Sequence, residues 1–417
     1  MRKLVFILLF FSFAKALTVE EVVNKAIQSN PELQSLRQQI KSAEFGLKVD
    51  ESLYFPTFFT KASYQYYGKT PTTTIPNFPV SFKQSNQSFQ TFNIGFNQTL
   101  YSGGQITSKV EASKYNLQGT LYLYREKENQ IKADVIKAYI DLFITASLID
   151  IYKKELKSIE SLYTQAEGFF QEGLITKVDL LQTKVRLAEV RKNLTEAQGN
   201  YIIALSRLSQ LIGEEIKDEK FEPFKIDIPD NLDIKNLLER ENRPILSYYR
   251  ESIKQLEKLE KIESAGFLPK LFIQGEYIYT NQSPYLDPKG NLLFTVGASI
   301  QFQGISPYYR TLQAKSNTSK LRYDLQDMKE KIKLEIKTAY QNFITAKENY
   351  RVSAENLQYA QEYFELVKEQ YGNQLATNTD LLNAEAALTR ALESKEINYY
   401  NLIKSYIDIK KAIGEDL

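Results

Sequence analysis

Two short motifs come closest to chemistry in this chain: Thr176-Lys177-Val178-Asp179 and Thr377-Asn378-Thr379-Asp380. In each, a hydroxyl residue stands three positions before an acid. That is the spacing of a capping box, with the acid in a first helical turn where the helix dipole favours negative charge. Beyond them the inventory is thin. The chain has no histidine and no cysteine, so zinc sites, thiolate nucleophiles and imidazole bases are all absent. Carboxylates, lysine, tyrosine and hydroxyls remain, and no paired-carboxylate hydrolytic site can be assembled from them. The chain reads as having no catalytic activity, metal or cofactor. Lack of cysteine also excludes disulfide staples and a lipid anchor on an N-terminal Cys.

The elements that must position these motifs begin after residues 1–16, which read as a secretory signal. Arg2 and Lys3 form its positive end, Leu4 to Phe13 its apolar stretch, and Ala14, Lys15 and Ala16 a small-x-small cleavage site. Ten apolar residues are too few to span a bilayer, which takes about 20, so the mature chain is expected to start at Leu17. Cleavage would take three of the 53 basic side chains and leave 50 against 51 acidic ones. A balance this even argues against nucleic acid as a partner, because backbone binding rests on a basic excess. The 28 Tyr and 24 Phe point instead to surfaces that are wet at one end and apolar at the other.

The chain then says nearly the same thing twice. Tyr54, Phe55 and Pro56 return as Phe267, Leu268 and Pro269, while Ile131, Lys132, Ala138 and Tyr139 return as Ile332, Lys333, Ala339 and Tyr340. Leu174, Thr176 and Asp179 return as Leu375, Thr377 and Asp380, and Ile212, Gly213, Glu214 as Ile413, Gly414, Glu415. Each copy is therefore read as one structural unit. Repeat 1 covers 17–214, with helices over 17–53, a β-hairpin over 57–101 and a long helical hairpin over 105–213. A Pro-containing linker fills 215–233. Repeat 2 covers 234–417, with helices over 234–266, a β-hairpin over 270–303 and a long helical hairpin over 307–414.

Within the hairpins the hydrophobic period changes from 3.6 to 2. Phe92, Ile94 and Phe96 alternate with Thr91, Asn93, Gly95 and Asn97; Leu292, Phe294, Val296, Ala298, Ile300 and Phe302 alternate with polar or small residues. Phe58, Ala62, Tyr64 and Tyr66 form one face of the first strand, and Leu271, Ile273, Tyr277 and Tyr279 the matching face of the third. Loops near 69–87, with Pro71, Pro76 and Pro79, and near 281–290 close the hairpins. Strands of about 10 residues have the length a tilted strand needs to cross a bilayer. Four of them cannot close a barrel, and lipid tolerates no open sheet edge. Three chains would supply 12 strands, an even number within the known range, and would gather the long helices at the other end.

In the order and duplication of these features the chain resembles the TolC-like outer-membrane efflux proteins. The helix starts at Asn30-Pro31 and Arg243-Pro244, the strand-helix junctions Pro56, Gly103, Gly104, Pro269 and Gly304, and the Thr-x-x-Asp-Leu-Leu at each helical turn carry the resemblance over the whole mature chain. It implies a mixed α and β membrane protein in the bacterial outer membrane, extending into the periplasm. A homotrimer would form a 12-stranded β-barrel continuous with an α-helical tunnel, docked onto a periplasmic adaptor protein and an inner-membrane transporter. Apolar strand faces would meet lipid, polar faces would line a wet lumen, and Tyr54, Phe55, Phe58, Phe59, Tyr66 and Tyr67 would form aromatic belts.

Resemblance also implies the sites. Asp380 and Asn383 fall where the family's second tip rings the pore aperture, Asn383 replacing a second acid and Ala376 an arginine of the closing network. Gly173, Leu174, Thr176, Asp179, Leu375 and Thr377 fall on the tips that contact the adaptor. The alternative from another class is a structural periplasmic coiled-coil or adhesin-like stalk, which would pass no solute.

Overall fold

The computed structural model describes residues 16–74, 76, 80–216, 220–223, 226–240, 242–301 and 304–417. The signal residues 1–15 and the strand and loop positions Pro79, Phe302 and Gln303 lie outside the described residues. In chain order the elements are α1 Val19–Ser29, α2 Pro31–Glu51, β1 Thr57–Tyr66, β2 Thr72–Thr74, β3 Ser81–Lys83, β4 Ser88–Tyr101, α3 Gln105–Gln171 and α4 Lys177–Ile212. There follow α5 Ile234–Leu238, α6 Pro244–Ser264, β5 Lys270–Thr280, β6 Gly290–Ser299, α7 Ser306–Gly372 and α8 Asn378–Ile413. The long helices come in equal lengths, 67 residues for α3 and α7 and 36 for α4 and α8.

Two compact units form, and they do not divide the chain at the linker. Of the described residues, one takes those within 16–37, 123–246 and 327–417, the other those within 38–122 and 247–326. Each unit thus draws segments from both halves of the chain, because a helix of 67 residues is too long to stay within one core.

In the first unit the starts of the helices are set by polar caps. Thr18 Oγ1 accepts the Glu21 N–H at 3.2 Å while the Glu21 carboxylate accepts the Thr18 N–H at 3.1 Å, satisfying two otherwise orphaned donors of α1. Asn30 Oδ1 accepts the Glu32 and Leu33 N–H groups, and its Nδ2 donates to Leu211 O at 2.9 Å. This side chain both starts α2 and fastens it to the end of α4. Around it lies the core: Val22, Ala26 and Leu33 against Ile131, Val135, Tyr139 and Leu142 of α3, Leu208 and Ile212 of α4, and Ile403 and Ile407 of α8. The linker joins this core. Leu17 N–H donates to Lys220 O at 2.7 Å, Tyr139 Oη donates to Leu17 O at 2.9 Å, and Phe221, Ile226 and Ile228 pack beside it.

In the second unit a single antiparallel sheet runs in the order β1-β4-β5-β6, leaving β1 and β6 as edges without a partner among the described residues. The register sets Phe58 opposite Phe96, Ile94 opposite Tyr277, and Tyr277 opposite Leu292. Because strand side chains alternate, these residues share one apolar face. Val296 on it is 75% exposed. The other face carries Thr57, Asn97, Gln274 and Thr295 in one cross-strand row, and Lys61 and Asn93 in another. Phe59 belongs here, opposite Gly95 and in the row of Glu276, so it cannot join Phe58 in an outer aromatic belt. Tyr67 also leaves the belt, packing its ring 5.5 Å from that of the buried Phe89. Within the first loop a small second sheet, β2 with β3, forms where the sequence reads only as a connection.

Candidate functional site

The two helical turns that carry the Thr-x-x-Asp motifs are built alike. After α3, Gly173 adopts a left-handed backbone (φ 77°) and Leu174 N–H donates to Phe169 O at 2.8 Å. After α7 the left-handed residue is Gln374 (φ 63°), with Leu375 N–H donating to Gln370 O at 2.8 Å. The second turn therefore pivots on Gln374, two residues beyond Gly372, which ends α7. In both turns the hydrogen bonds satisfy carbonyls at the helix C-terminus.

Both capping boxes form. Thr176 Oγ1 accepts the Asp179 N–H at 3.2 Å and Asp179 Oδ2 accepts the Thr176 N–H at 3.0 Å; the Thr377 and Asp380 pair does the same at 3.1 and 3.0 Å. Each hydroxyl also donates to its Asp, at 2.7 Å and 2.6 Å. In the second turn the Thr377 hydroxyl, and then its backbone N–H, hold the Asp380 carboxyl below the usual carboxylate range.

The turns touch through residues that the sequence did not mark. Asn378, which is buried, donates from Nδ2 to Asp179 O at 3.0 Å and to Thr183 Oγ1 at 3.2 Å. The Thr379 hydroxyl donates to Gln182 Oε1 at 3.1 Å, and the rings of Phe169 and Tyr371 lie 6.4 Å apart. A cavity of about 410 Å³ opens between them, lined in part by Gly173, Thr176, Asp179, Tyr371, Gln374 and Ala376. Burial, and then the Asp179 charge, push the Tyr371 phenol up. Of the expected site residues, Gly173, Leu174, Thr176, Asp179 and Thr377 thus meet around one cavity. Asp380 and Asn383 are exposed instead, one turn apart on α8. Leu375 points out as well, at 79% exposure.

A further apolar stripe runs from the first turn along α4: Leu174, Val178, Leu181 and Val185 are all exposed. Their 4-3-4 spacing is visible in the sequence, but it reads as a core seam until Thr183, Leu187 and Val190 are seen to occupy that role. At the other end of α3, the junction is set by Gly103 (φ 65°), where an added Cβ would lie 2.7 Å from Leu268 Cβ. Ser102 Oγ then accepts the Ile106 N–H at 3.2 Å and starts the helix. Gly104 and Gly304 are left-handed too, and Phe55 and Leu268, before Pro56 and Pro269, are extended, as a following proline demands.

Residues 22–214 match the family model of the outer membrane efflux proteins. Outer membrane protein TolC of Vibrio cholerae is 25% identical over 196 residues, which are 46% of this chain and 43% of that relative, so the match spans under half of its length. Among solved structures, CusC superposes with a TM-score of 0.83 at 14% identity, covering 95% of this chain and 92% of the other. The Campylobacter jejuni CmeC outer membrane channel gives 0.79 at 20% identity, covering 95% and 85%. The first half of the chain is thus similar in sequence to the outer membrane efflux proteins, and nearly all of its length shares their fold.

Proposed function

We propose that three copies of this chain close a 12-stranded barrel in the outer membrane and form a passive conduit from the periplasm to the exterior. What carries this reading is the four-stranded sheet: two edges without partners, one continuous apolar face and an opposite face rich in Thr, Asn and Gln. An open edge in lipid would leave a row of unsatisfied N–H and C=O groups, each costing several kcal/mol. Pairing β1 of one chain with β6 of the next removes every edge. Closure in this sense turns the apolar face to lipid and the polar face to a water-filled lumen.

At the tips, Gly173, Leu174, Thr176, Asp179, Leu375 and Thr377 receive a periplasmic adaptor protein, and an inner-membrane transporter supplies the energy. Exposure of Leu174, Leu375 and the α4 stripe supports an apolar docking surface there. Asp380 and Asn383, exposed and one turn apart, would converge as a ring in the trimer and favour cations. Solute passes without chemical change.

Conductance in planar bilayers tests the conduit: discrete channels are expected, and a structural stalk would give none. Asp380→Ala should lower the cation-to-anion permeability ratio; an unchanged ratio removes Asp380 from the aperture. Adaptor capture by a charge substitution at both tips should fall, and undiminished binding would place the adaptor elsewhere.

A further inference from the structure

About two turns into α4 and α8, and about four turns before the end of α3, these helices enclose three charged side chains. Glu155 of α3 is ion-paired with Arg186 of α4, and Glu385 of α8 is buried beside them at 3% exposure. Arg186 also reaches Glu189 at 3.3 Å. Thr389 of α8 helps hold the Glu155 carboxylate, and Glu393, which accepts from the Tyr152 hydroxyl, adds negative charge nearby. Two buried acids, Glu155 and Glu385, and the exposed Glu189 therefore share one guanidinium. Glu155 Oε2 and both carboxylate oxygens of Glu385 lack a well-formed hydrogen bond among the described residues, Ser158 giving Glu385 only weak support, so ionisation of both acids is costly. A proton on Glu385 removes the second charge.

We propose that Glu385 binds a proton within a buried Glu155, Arg186 and Glu385 triad that fastens the two helical hairpins together behind the tips, and that loss of this proton loosens them. The idea rests on the reading of the tips as the adaptor-docking end of a conduit. Burial, reinforced by the Glu155 charge and only partly offset by Ser158 and Arg186, pushes the Glu385 carboxyl up to about 7. A carboxyl that holds its proton more tightly when packed than when released stabilises the packed state most at low pH. That contribution is lost as pH rises from the ordinary glutamate range through about 7. The joint is thus tight in acid and slack at neutral to alkaline pH.

The test uses the detergent-purified full chain, followed by infrared spectroscopy and by amide hydrogen exchange of residues 378–390 corrected for intrinsic rates. A protonated carboxyl band should persist to near-neutral pH and vanish in Glu385→Gln. Exchange should quicken by up to about tenfold per pH unit between about 5 and 7, then level off. Glu385→Gln, which mimics the protonated acid, should stay slow at all pH values. Glu155→Gln should move the transition to lower pH, because Arg186 then pairs with Glu385. Absence of the band, or a Glu385→Gln profile like that of the parent chain, would overturn the proposal. If band and exchange behave as expected but bilayers show no channel at any pH, the proton-linked joint stands and the conduit reading fails.

Discussion

Gln374 holds in the second tip the left-handed backbone conformation that Gly173 holds in the first, with φ 63° against 77°. The two residues occupy the same position in turns that are built alike, yet only one is free of a Cβ. A non-glycine side chain in this region costs about 1 kcal/mol or more. Gln374→Gly should therefore stabilise the second turn by about 1 kcal/mol, partly offset by the greater freedom of glycine in the unfolded chain. Slower hydrogen exchange at residues 371–377 is the expected reading, and faster exchange would mean that the turn tolerates Gln without strain.

Thr377 caps α8 and sets the charge state of Asp380. Thr377→Ala should loosen the first turn of α8 by about 1 kcal/mol and return the Asp380 carboxyl to its ordinary range. Since the folded carboxyl titrates below the unfolded one, its support for the turn is present above the ordinary aspartate range and lost as pH falls through the lowered value. NMR titration of Asp380 in the parent chain and in Thr377→Ala would show the shift; identical curves would refute the coupling.

Gly275 lies between Phe96 and Phe294 in the sheet, and an added Cβ would come within 2.6 Å of the Phe96 ring and 3.0 Å of the Phe294 ring. Gly275→Val must displace one ring or spread the strands, at a cost of about 1–3 kcal/mol. Lower yield of folded protein on refolding into detergent, read by circular dichroism, is expected. Normal yield would mean that the rings move freely.

Tyr139 is enclosed, and its hydroxyl reaches two carbonyl oxygens, Leu17 O at 2.9 Å and Glu222 O at 2.5 Å. Tyr139→Phe leaves both acceptors without this donor and should destabilise by about 1–2 kcal/mol, freeing residues 220–222, whose Glu222 N–H donates to Leu17 O, to exchange faster. Burial pushes the phenol up to about 12, and Tyr152, Tyr371 and Tyr400 are raised as well, so in ultraviolet titration the late-ionising group should be one tyrosine smaller in the variant. Unchanged late ionisation would assign that tyrosine elsewhere.

Periodicity and punctuation carried much of the fold. The alternation of Phe92, Ile94 and Phe96 gives the face of β4 directly, because period 2 admits no other arrangement, and Pro56 and Pro269 mark where helix must give way to strand. The capping boxes at Thr176 and Thr377 were legible because all their partners lie within four residues. The same alternation puts Phe59 on the face opposite to Phe58, which aromatic content alone does not show. Less visible were contacts that depend on which helices pack. Asn378 and Tyr371 around the tip cavity are ordinary polar and aromatic residues until α4 and α8 are adjacent. Glu155, Arg186 and Glu385 read as solvated charges on helices dense in Lys and Glu until three separate elements enclose them. Gln374 was hidden by Gly372, a better turn residue two positions away.

Native mass spectrometry of the detergent-purified protein tests the proposed shared barrel most directly, because the proposal pairs β1 and β6, edges without a partner among the described residues, across copies of the chain. A mass of three chains at all protein concentrations examined is predicted. A single chain, stable in detergent with its sheet intact, would contradict it.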